Sequence, residues 1–419
     1  VFYMDYITLT KRDYEFYDFV HLCAASVFEE IDDVEFNVIF TDCPKETTEY
    51  ALTVKNYYHK ITGVYKFIVG DDEFSKTVNI GKYPCGWYSV SVVRGDKVIY
   101  AGSFSVVHDS EGRKHSEKIA ADFASFHLVD TGKTDVERLA RAVRLAGINT
   151  VRERYYWGDY ESSPGSYNDY MQSYNNSTLQ NAGLDVINMF CDTPSWSEST
   201  GYLSDNLFDV YNFQKDYAAT LKGKVDIMEV WNEEDTSFAS ETADRFSSFF
   251  KAAAIGIYDG NPDMKKTFGG FAHSPLETDY MDFCMMNDIM EYADIYNYHS
   301  YAAGGDDYDN PPSMKKEDLR AHCNVLSAYG YENRDVWVTE GGIALNNAQD
   351  RGRKVQARAA VINNVESLAN GTDKHFFFVI PQYLESGREF GVFDKNLNPS
   401  TAYTALENLI YYIGNAEYK

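Results

Sequence analysis

The chain has 419 residues, and its 38 Lys and Arg against 64 Asp and Glu give a formal charge of −26 at pH 7. Phosphate binding requires clustered basic side chains, and no basic run of that kind occurs, so a general binder of nucleic acid or anionic membranes is excluded. A hydrophobic fraction of 44% with 24% charged residues excludes a disordered chain. No apolar run reaches the roughly 18 residues of a membrane-spanning helix, so we expect no membrane-spanning segment.

Aromatic residues make up 16% of the chain, with 34 Tyr and 26 Phe. Such rings combine an apolar face with a polar edge, which suits sugar binding, although we expect most individual rings to lie in the core. The six cysteines show neither CxxC pairs nor regular spacing, which argues against a zinc ribbon or a disulfide scaffold. They are Cys23, Cys43, Cys85, Cys191, Cys284 and Cys323.

Residues 1–110 resemble a series of strands separated by turns, without an amphipathic helix. In the last predicted hairpin, alternating Val90 and Val92 precede the turn signal Arg94-Gly95-Asp96. We predict an Ig-like β-sandwich accessory domain over 1–110, followed by a polar linker at 108–118. The predicted strands are 35–40, 50–58, 63–70, 76–81 and 86–107.

From residue 119 to 419 the pattern changes to short apolar strands that alternate with amphipathic helices. Eight alternations predict an α/β fold with a catalytic (β/α)8 TIM barrel, and a doubly wound open sheet is the alternative. An open sheet normally brings a glycine-rich phosphate loop after its first strand, and the sequence there lacks GxGxxG. The predicted strands are 123–129, 149–155, 185–191, 226–232, 266–272, 294–300, 335–340 and 375–381, and the predicted helices include 135–147, 241–258, 315–330 and 351–370.

Active sites of such barrels lie at the carboxyl ends of the strands, where two glutamates stand out. Glu233 ends the fourth predicted strand in Val-Trp-Asn-Glu, and Glu340 ends the seventh in Val-Thr-Glu. Opposite strands direct their ends at one mouth, so these two carboxylates can flank a glycosidic bond. We predict Glu340 as the nucleophile and Glu233 as the acid/base, whose pKa burial and the charge of Glu340 would raise.

These motifs resemble clan A retaining glycoside hydrolases, the (β/α)8 group that includes families 5, 39 and 42. The resemblance rests on Trp-Asn-Glu at 231–233 and Thr-Glu-Gly at 339–341. Further support comes from Arg152 with Trp157 and a Pro-Gly-x-Tyr turn after strand two, Thr-Pro-Ser-Trp at 193–196, and His-Ser-Tyr at 299–301. The resemblance covers about residues 120–415.

The resemblance implies substrate-binding roles for seven residues. Asn232 would bind the sugar 2-hydroxyl, Arg152 would keep Glu340 ionised, and Tyr301 would donate to Glu340. His299 would line the sugar pocket, and Trp157 and Trp196 would be stacking platforms. Two features depart from the clan: Glu234 replaces the usual Pro after the acid/base, and strand eight has no Trp, for which we expect Tyr383 to substitute. We choose Glu233 over Glu234 because neighbouring strand residues face opposite ways.

The sequence predicts no metal site and no cofactor. The acidic stretch 304–312 lacks the spacing of an EF-hand, so we expect a solvated loop. The main prediction is a secreted, periplasmic or cell-surface enzyme of polysaccharide degradation that acts on an oligo- or polysaccharide. The alternatives are a catalytically silent glycan-binding barrel and a metal-dependent barrel hydrolase that uses His299.

Overall fold

The computed structural model describes residues 18–20, 25–40, 44–71, 73–112, 115–129, 133–302 and 307–416. The chain separates into two compact units, which divide between Asp109 and Ser110. Among the described residues, no helix is long and apolar enough to cross a bilayer. Four described cysteines are free thiols, and Cys23 and Cys43 lie outside the described residues.

The N-terminal unit is a β-sandwich. One sheet has three strands in the order β1-β3-β6, and the other has five in the order β2-β8-β7-β4-β5. Strand β3 buries every second side chain, including Val34, Phe36 and Val38, and these join residues of the second sheet in one apolar core. The described strands are β1 (Asp18–Val20), β2 (Val27–Glu29), β3 (Val34–Ile39), β4 (Thr48–Asn56), β5 (Ile61–Val69), β6 (Ser75–Gly81), β7 (Gly86–Arg94) and β8 (Lys97–Val107).

The C-terminal unit is built around an eight-stranded parallel sheet in the order β15-β14-β13-β10-β9-β18-β17-β16. Strand β18 pairs with β9, and a bridge between Phe271 and Tyr298 joins the two remaining edges, which makes the sheet a nearly closed TIM barrel. The strands of this unit are β9 (Ile119–Asp122), β10 (Thr150–Tyr156), β11 (Glu161–Ser163), β12 (Ser166–Tyr167), β13 (Asp185–Cys191), β14 (Ile227–Val230), β15 (Lys265–Phe268), β16 (Ile295–His299), β17 (Asp335–Gly342), β18 (Lys374–Phe378), β19 (Leu384–Glu385) and β20 (Arg388–Glu389).

Helices cover the outside of the barrel through apolar faces. Helix α6 (Ala243–Gly260) has such a face, because Phe246, Phe250, Ala253 and Ile257 recur at helical spacing and are all buried. The helices are α1 (Ser125–Leu128), α2 (Lys133–Leu145), α3 (Trp157–Tyr160), α4 (Tyr170–Asn181), α5 (Leu207–Thr220), α6 (Ala243–Gly260), α7 (Tyr280–Met286), α8 (Lys316–Ala328), α9 (Asp350–Ala369) and α10 (Thr401–Ile413), with a 3-10 turn at Ile289–Glu291.

The first barrel strand lies earlier than predicted. The sequence indicated a strand at 123–129, whereas β9 covers Ile119–Asp122 and residues 125–128 form a helical turn. Ala124 has a left-handed backbone conformation with φ of 42°, which breaks the extended conformation of the strand before that turn. Apolar residues recur through both segments and are interrupted only by Asp122, Ser125 and His127, so their pattern does not mark the break.

Candidate active site

Glu233 and Glu340 meet at the carboxyl end of the barrel. Glu340 lies in β17, and Glu233 lies in the loop after β14. One carboxylate oxygen of each lies, together with a ring nitrogen of His299, in a group whose atoms are all within 4.8 Å of one another. Both glutamates line the same cavity of about 390 Å³, which we call the catalytic cavity.

A tight turn, rather than strand alternation, directs Glu233 into the cavity. Strand β14 ends at Val230, and both Trp231 and Glu233 have positive φ, at 80° and 47°. The Glu233 N–H donates to the carbonyl of Gly269 over 2.9 Å. A Cβ at Gly269 would lie 2.4 Å from the Trp231 carbonyl carbon, so this close approach requires glycine.

Glu234 points away from the cavity and is fully buried. Neither of its carboxylate oxygens has a hydrogen-bond partner among the described residues. Burial raises its pKa well above the usual range, and the nearby charge of Asp235 adds to the effect. The choice of Glu233 over Glu234 therefore agrees with the geometry, although the alternation argument applied to residues that lie beyond the strand.

Three donors hold the carboxylate of Glu340. Its Oε1 accepts from Arg152 Nη1 at 2.6 Å and from Arg154 Nη2 at 2.8 Å, and its Oε2 accepts from the Tyr301 hydroxyl at 2.5 Å. Burial alone would raise the pKa of Glu340. The charges of Arg154, His299 and Arg152 and the Tyr301 hydrogen bond outweigh it and lower that pKa well below the usual range.

Arg152 is the fully buried centre of this network. Nε and Nη2 bind the carboxylate of Glu229 at 2.7 and 2.9 Å. Nη1 donates to Asp122 and Glu340, and the second Nη2 hydrogen reaches Asn232 Oδ1 at 3.0 Å. All five N–H donors of the guanidinium are thus used. Asn232 shares the Arg152 guanidinium with Glu340 and lines the catalytic cavity.

The sequence predicted that His299 lines the sugar pocket, but in the structure it is buried beside Glu233 and is not among the residues that line the catalytic cavity. Its Nδ1 lies 2.8 Å from Glu233 Oε1 and 3.7 Å from Glu340 Oε2. Burial lowers the pKa of His299, but the charge of Glu340 and the hydrogen bond to Glu233 raise it more, so the net shift is upward. A Cβ at Gly270 would lie 2.5 Å from His299 Nε2, so glycine leaves room for the ring.

Aromatic side chains form much of the cavity wall. Phe378, the last residue of β18, lines the cavity, and the Arg154 guanidinium lies 5.3 Å from its ring centre. Tyr383, the predicted substitute, also lines the cavity and packs edge-on against Phe378. Phe238 and Phe390 complete the aromatic lining.

Trp157 and Trp196, the predicted stacking platforms, lie in loop packing outside the catalytic cavity. Trp157 is 1% exposed, its ring stacks on Phe213, and its indole N–H donates to Glu161. Trp196 packs edge-on against Trp157 and donates to the backbone carbonyl of Glu161. Neither lines the catalytic cavity, because both are engaged in packing the loops after β10 and β13.

Arg154 is a further residue of this site that was not predicted from the sequence. It bridges Asp122 and Glu340 and lines the catalytic cavity. Arg154 lies two residues after Arg152 on the same strand. Because alternate residues of a strand share a face, this spacing could have predicted that both arginines point into the site.

The group of Glu233, His299 and Glu340 has the donor types and spacing of a possible metal site. In this structure those donors already have partners, because Glu340 binds two guanidinium groups and a hydroxyl, and His299 Nδ1 is bonded to Glu233. Within the acidic stretch 304–312, residues 304–306 lie outside the described residues.

Comparisons with solved structures identify the fold. A family 39 glycoside hydrolase from the gut symbiont Bacteroides cellulosilyticus WH2 matches 94% of this chain and 83% of its own, with a TM-score of 0.76 and 16% identity. A GH5_18 structure from Streptomyces cattleya, in complex with GlcNAc, matches 73% of this chain and 82% of its own, with a TM-score of 0.56 and 12% identity.

The exo-beta-1,4-mannosidase Op5Man5 from Opitutaceae bacterium strain TAV5 matches 72% of this chain and 61% of its own, with a TM-score of 0.53 and 15% identity. No protein-family model matches the chain, and no curated protein matches it either. At these identities the similarity establishes a shared architecture: the chain has the TIM-barrel fold of family 39 and family 5 glycoside hydrolases.

Proposed function

We propose that the chain is a retaining glycoside hydrolase that cleaves β-linked glycans by double displacement. The observation that carries this proposal is that one carboxylate oxygen of Glu233 lies within 4.8 Å of one of Glu340, in the same cavity. Retaining sites hold their two carboxyl groups about 5–5.5 Å apart, whereas inverting sites hold them about 6.5–9.5 Å apart to admit a water. The short separation favours the retaining mechanism.

In the first step Glu340 attacks the anomeric carbon, and Glu233 gives its proton to the leaving oxygen as the glycosidic bond breaks. The Arg152 and Arg154 contacts support Glu340 as the nucleophile because they keep it ionised. Asn232 accepts from Arg152 through Oδ1, which leaves its Nδ2 to donate to the sugar 2-hydroxyl.

In the second step Glu233, now a carboxylate, takes a proton from water. The resulting nucleophile attacks the anomeric carbon, and the bond to Glu340 breaks. The same guanidinium groups stabilise the departing carboxylate of Glu340. His299 holds Glu233 through its 2.8 Å contact and fixes the direction of the acid/base in both steps.

For the substrate we propose neutral β-linked sugars, with mannosides and glucosides first. Some family 5 neighbours are described in complex with Manb1-4GlcNAc, and another neighbour is an exo-beta-1,4-mannosidase. A panel of aryl β-mannoside, β-glucoside and β-xyloside therefore tests activity directly. We expect turnover of at least one of the three.

The roles of the two glutamates are tested by substitution. We expect Glu340→Gln and Glu233→Gln to abolish turnover of aryl glycosides that need acid assistance. Added azide should rescue Glu233→Ala with retained anomeric configuration, and it should not rescue Glu340→Ala with retained configuration. Glu385→Gln is the matched control, because Glu385 lines the same cavity without contacting either glutamate in the described structure.

The same experiments distinguish the proposed retaining hydrolase from two alternative functions. A silent glycan-binding barrel predicts retained glycan binding without turnover of any panel substrate. A metal-dependent hydrolase, which the grouping of Glu233, His299 and Glu340 permits, predicts loss of activity on chelation. Activity that survives chelation and is lost in Glu340→Ala eliminates the metal-dependent mechanism.

A further inference from the structure

A second cavity of about 540 Å³ lies beside the catalytic cavity. Its lining comes from Tyr156 at the end of β10, from the loop 191–202 after β13, and from Trp231 and Phe238 in the loop after β14. Phe238 lines both cavities, so the two are neighbours. The volume falls in the range of pockets that bind small molecules, roughly 300–1,000 Å³.

The apolar part of this lining is aromatic and open to solvent. Tyr156, Tyr202 and Phe238 are 41%, 54% and 54% exposed. Large aromatic side chains gathered in a concave surface normally mark a binding site, since burying them in contact with a ligand is favourable. None of the three is required by the two-step mechanism at Glu233 and Glu340.

The polar part of the lining suits a hydroxylated, uncharged ligand. Thr193 Oγ1 and Trp231 Nε1 are buried and have no hydrogen-bond partner in the described part of the chain. Asp192 adds a carboxylate, whose Oδ1 accepts from the Trp157 N–H and whose Oδ2 has only a 3.4 Å contact with Gly158. Sugar hydroxyls both donate and accept, so they can pair with all three groups. The lining contains no Lys or Arg, which argues against an anionic ligand.

We propose that the second cavity binds a neutral glycosyl ring of the same substrate chain whose scissile ring occupies the catalytic cavity. This inference rests on the proposed glycosidase function. It commits the protein to substrates longer than one sugar, with Tyr202 and Phe238 in contact with the sugar faces and Thr193 and Asp192 in contact with the hydroxyls. These residues determine specificity for chain length and do not take part in the chemical steps.

The test is a titration that needs no turnover. Mannotetraose, cellotetraose and xylotetraose, each with its monosaccharide, are titrated into the Glu340→Gln variant, and the tetrasaccharide that binds most tightly is retained. Adding Tyr202→Ala should weaken tetrasaccharide binding about tenfold, Thr193→Val should weaken it several-fold, and monosaccharide binding should stay within about twofold. Tyr258→Ala, which removes a tyrosine of α6 that is 58% exposed, is the control.

The proposal is overturned if no tetrasaccharide binds more tightly than its monosaccharide, or if Tyr202→Ala weakens both ligands equally or neither. Turnover by the chain with an intact Glu340 is measured separately on aryl monoglycosides, where the control Tyr258→Ala should leave kcat/KM within about twofold. Failure of the glycosidase proposal would appear as absent turnover of the aryl glycosides. Failure of the second-ring proposal would appear only in the chain-length dependence of binding.

Discussion

Arg152 and Glu340 form a buried ion pair with 2.6 Å between Nη1 and Oε1, although the two residues lie on β10 and β17. The same guanidinium also contacts Asp122 and Glu229, so one cation holds three acidic side chains in the barrel. This contact ties the proposed chemistry to the stability of the fold, because the group that keeps the nucleophile ionised also neutralises buried charge.

Replacing Arg152 by Met should destabilise the barrel and abolish activity. The substitution leaves Glu229 buried without its cation and removes one of the two guanidinium groups that bind Asp122. Breaking a buried pair in this way costs about 3–5 kcal/mol. Urea unfolding at pH 7 measures the change. Lys316→Met, which breaks an exposed pair with Glu366, should cost less than about 1 kcal/mol. An equal cost in the two variants would contradict the central role of Arg152.

Arg154→Met should alter the pH dependence of activity more than the stability. Arg154 is partly exposed and is the largest of the charges that lower the pKa of Glu340. In the unsubstituted chain Glu340 stays ionised well below pH 4.5, so it sets no acidic limb above that pH. Without Arg154 the pKa of Glu340 rises, and we expect the acidic limb to move to higher pH. Acidic limbs that are superimposable for the two proteins, in kcat/KM profiles that extend down to the lowest pH at which both remain folded, would contradict this.

Tyr301→Phe should lower kcat while the fold is retained. Burial and the charge of Glu340 raise the pKa of Tyr301 well above its usual range, so the hydroxyl remains a donor to Oε2. A hydrogen bond to a charged group contributes about 1.5–3 kcal/mol, which corresponds to roughly a 10- to 150-fold loss of kcat. Tyr383→Phe, in the same cavity, should lose less than about threefold. Similar losses in the two variants would rule out a specific role for the Tyr301 hydroxyl.

The buried carboxyl of Glu153 should make the free energy of unfolding depend on pH. Burial raises the pKa of this carboxyl from its ordinary value of 4.5 to about 7, although its oxygens accept from Ser125 and Phe126. The folded chain therefore binds the proton more tightly than the unfolded chain. The resulting stabilisation is complete below pH 4.5 and is lost as pH rises through 7.

Glu153→Gln removes this dependence. Relative to the unsubstituted chain, the variant should gain on the order of 2 kcal/mol in free energy of unfolding between pH 5 and pH 8. Urea unfolding at both pH values gives the difference. Glu137→Gln, at an exposed site on α2, should show the same difference at both values. A gain for Glu153→Gln that is larger at pH 5 would reverse the sign and refute the prediction.

The barrel was predictable from the sequence because its strands are short apolar runs with distinct borders. Strand β13 covers Asp185–Cys191, the predicted range, and α6 and α9 lie within two residues of their predicted bounds. Strand β9 was misplaced because the apolar residues continue past it to Val129. A periodic pattern locates the middle of an element better than its ends.

The residues at strand ends were more predictable than the loop residues. Arg152, Glu340 and Tyr301 were predicted from their motifs, and in the structure both Arg152 and Tyr301 bind Glu340. The substrate-stacking role predicted for Trp157 does not fit the structure, where its ring stacks on Phe213 in the core. The sequence does not reveal whether an aromatic ring in a loop faces solvent or the core. The turn that directs Glu233 depends on positive φ and on the approach of Gly269, which no local pattern encodes.

The most direct test of the account is the anomeric configuration of the first product, followed by proton NMR during hydrolysis of an aryl β-glycoside by the unsubstituted chain. One oxygen of Glu233 and one of Glu340 lie within 4.8 Å of each other, which favours double displacement, so the sugar should be released as the β anomer before mutarotation. Release of the α anomer would mean single displacement and would contradict the roles assigned to Glu233 and Glu340.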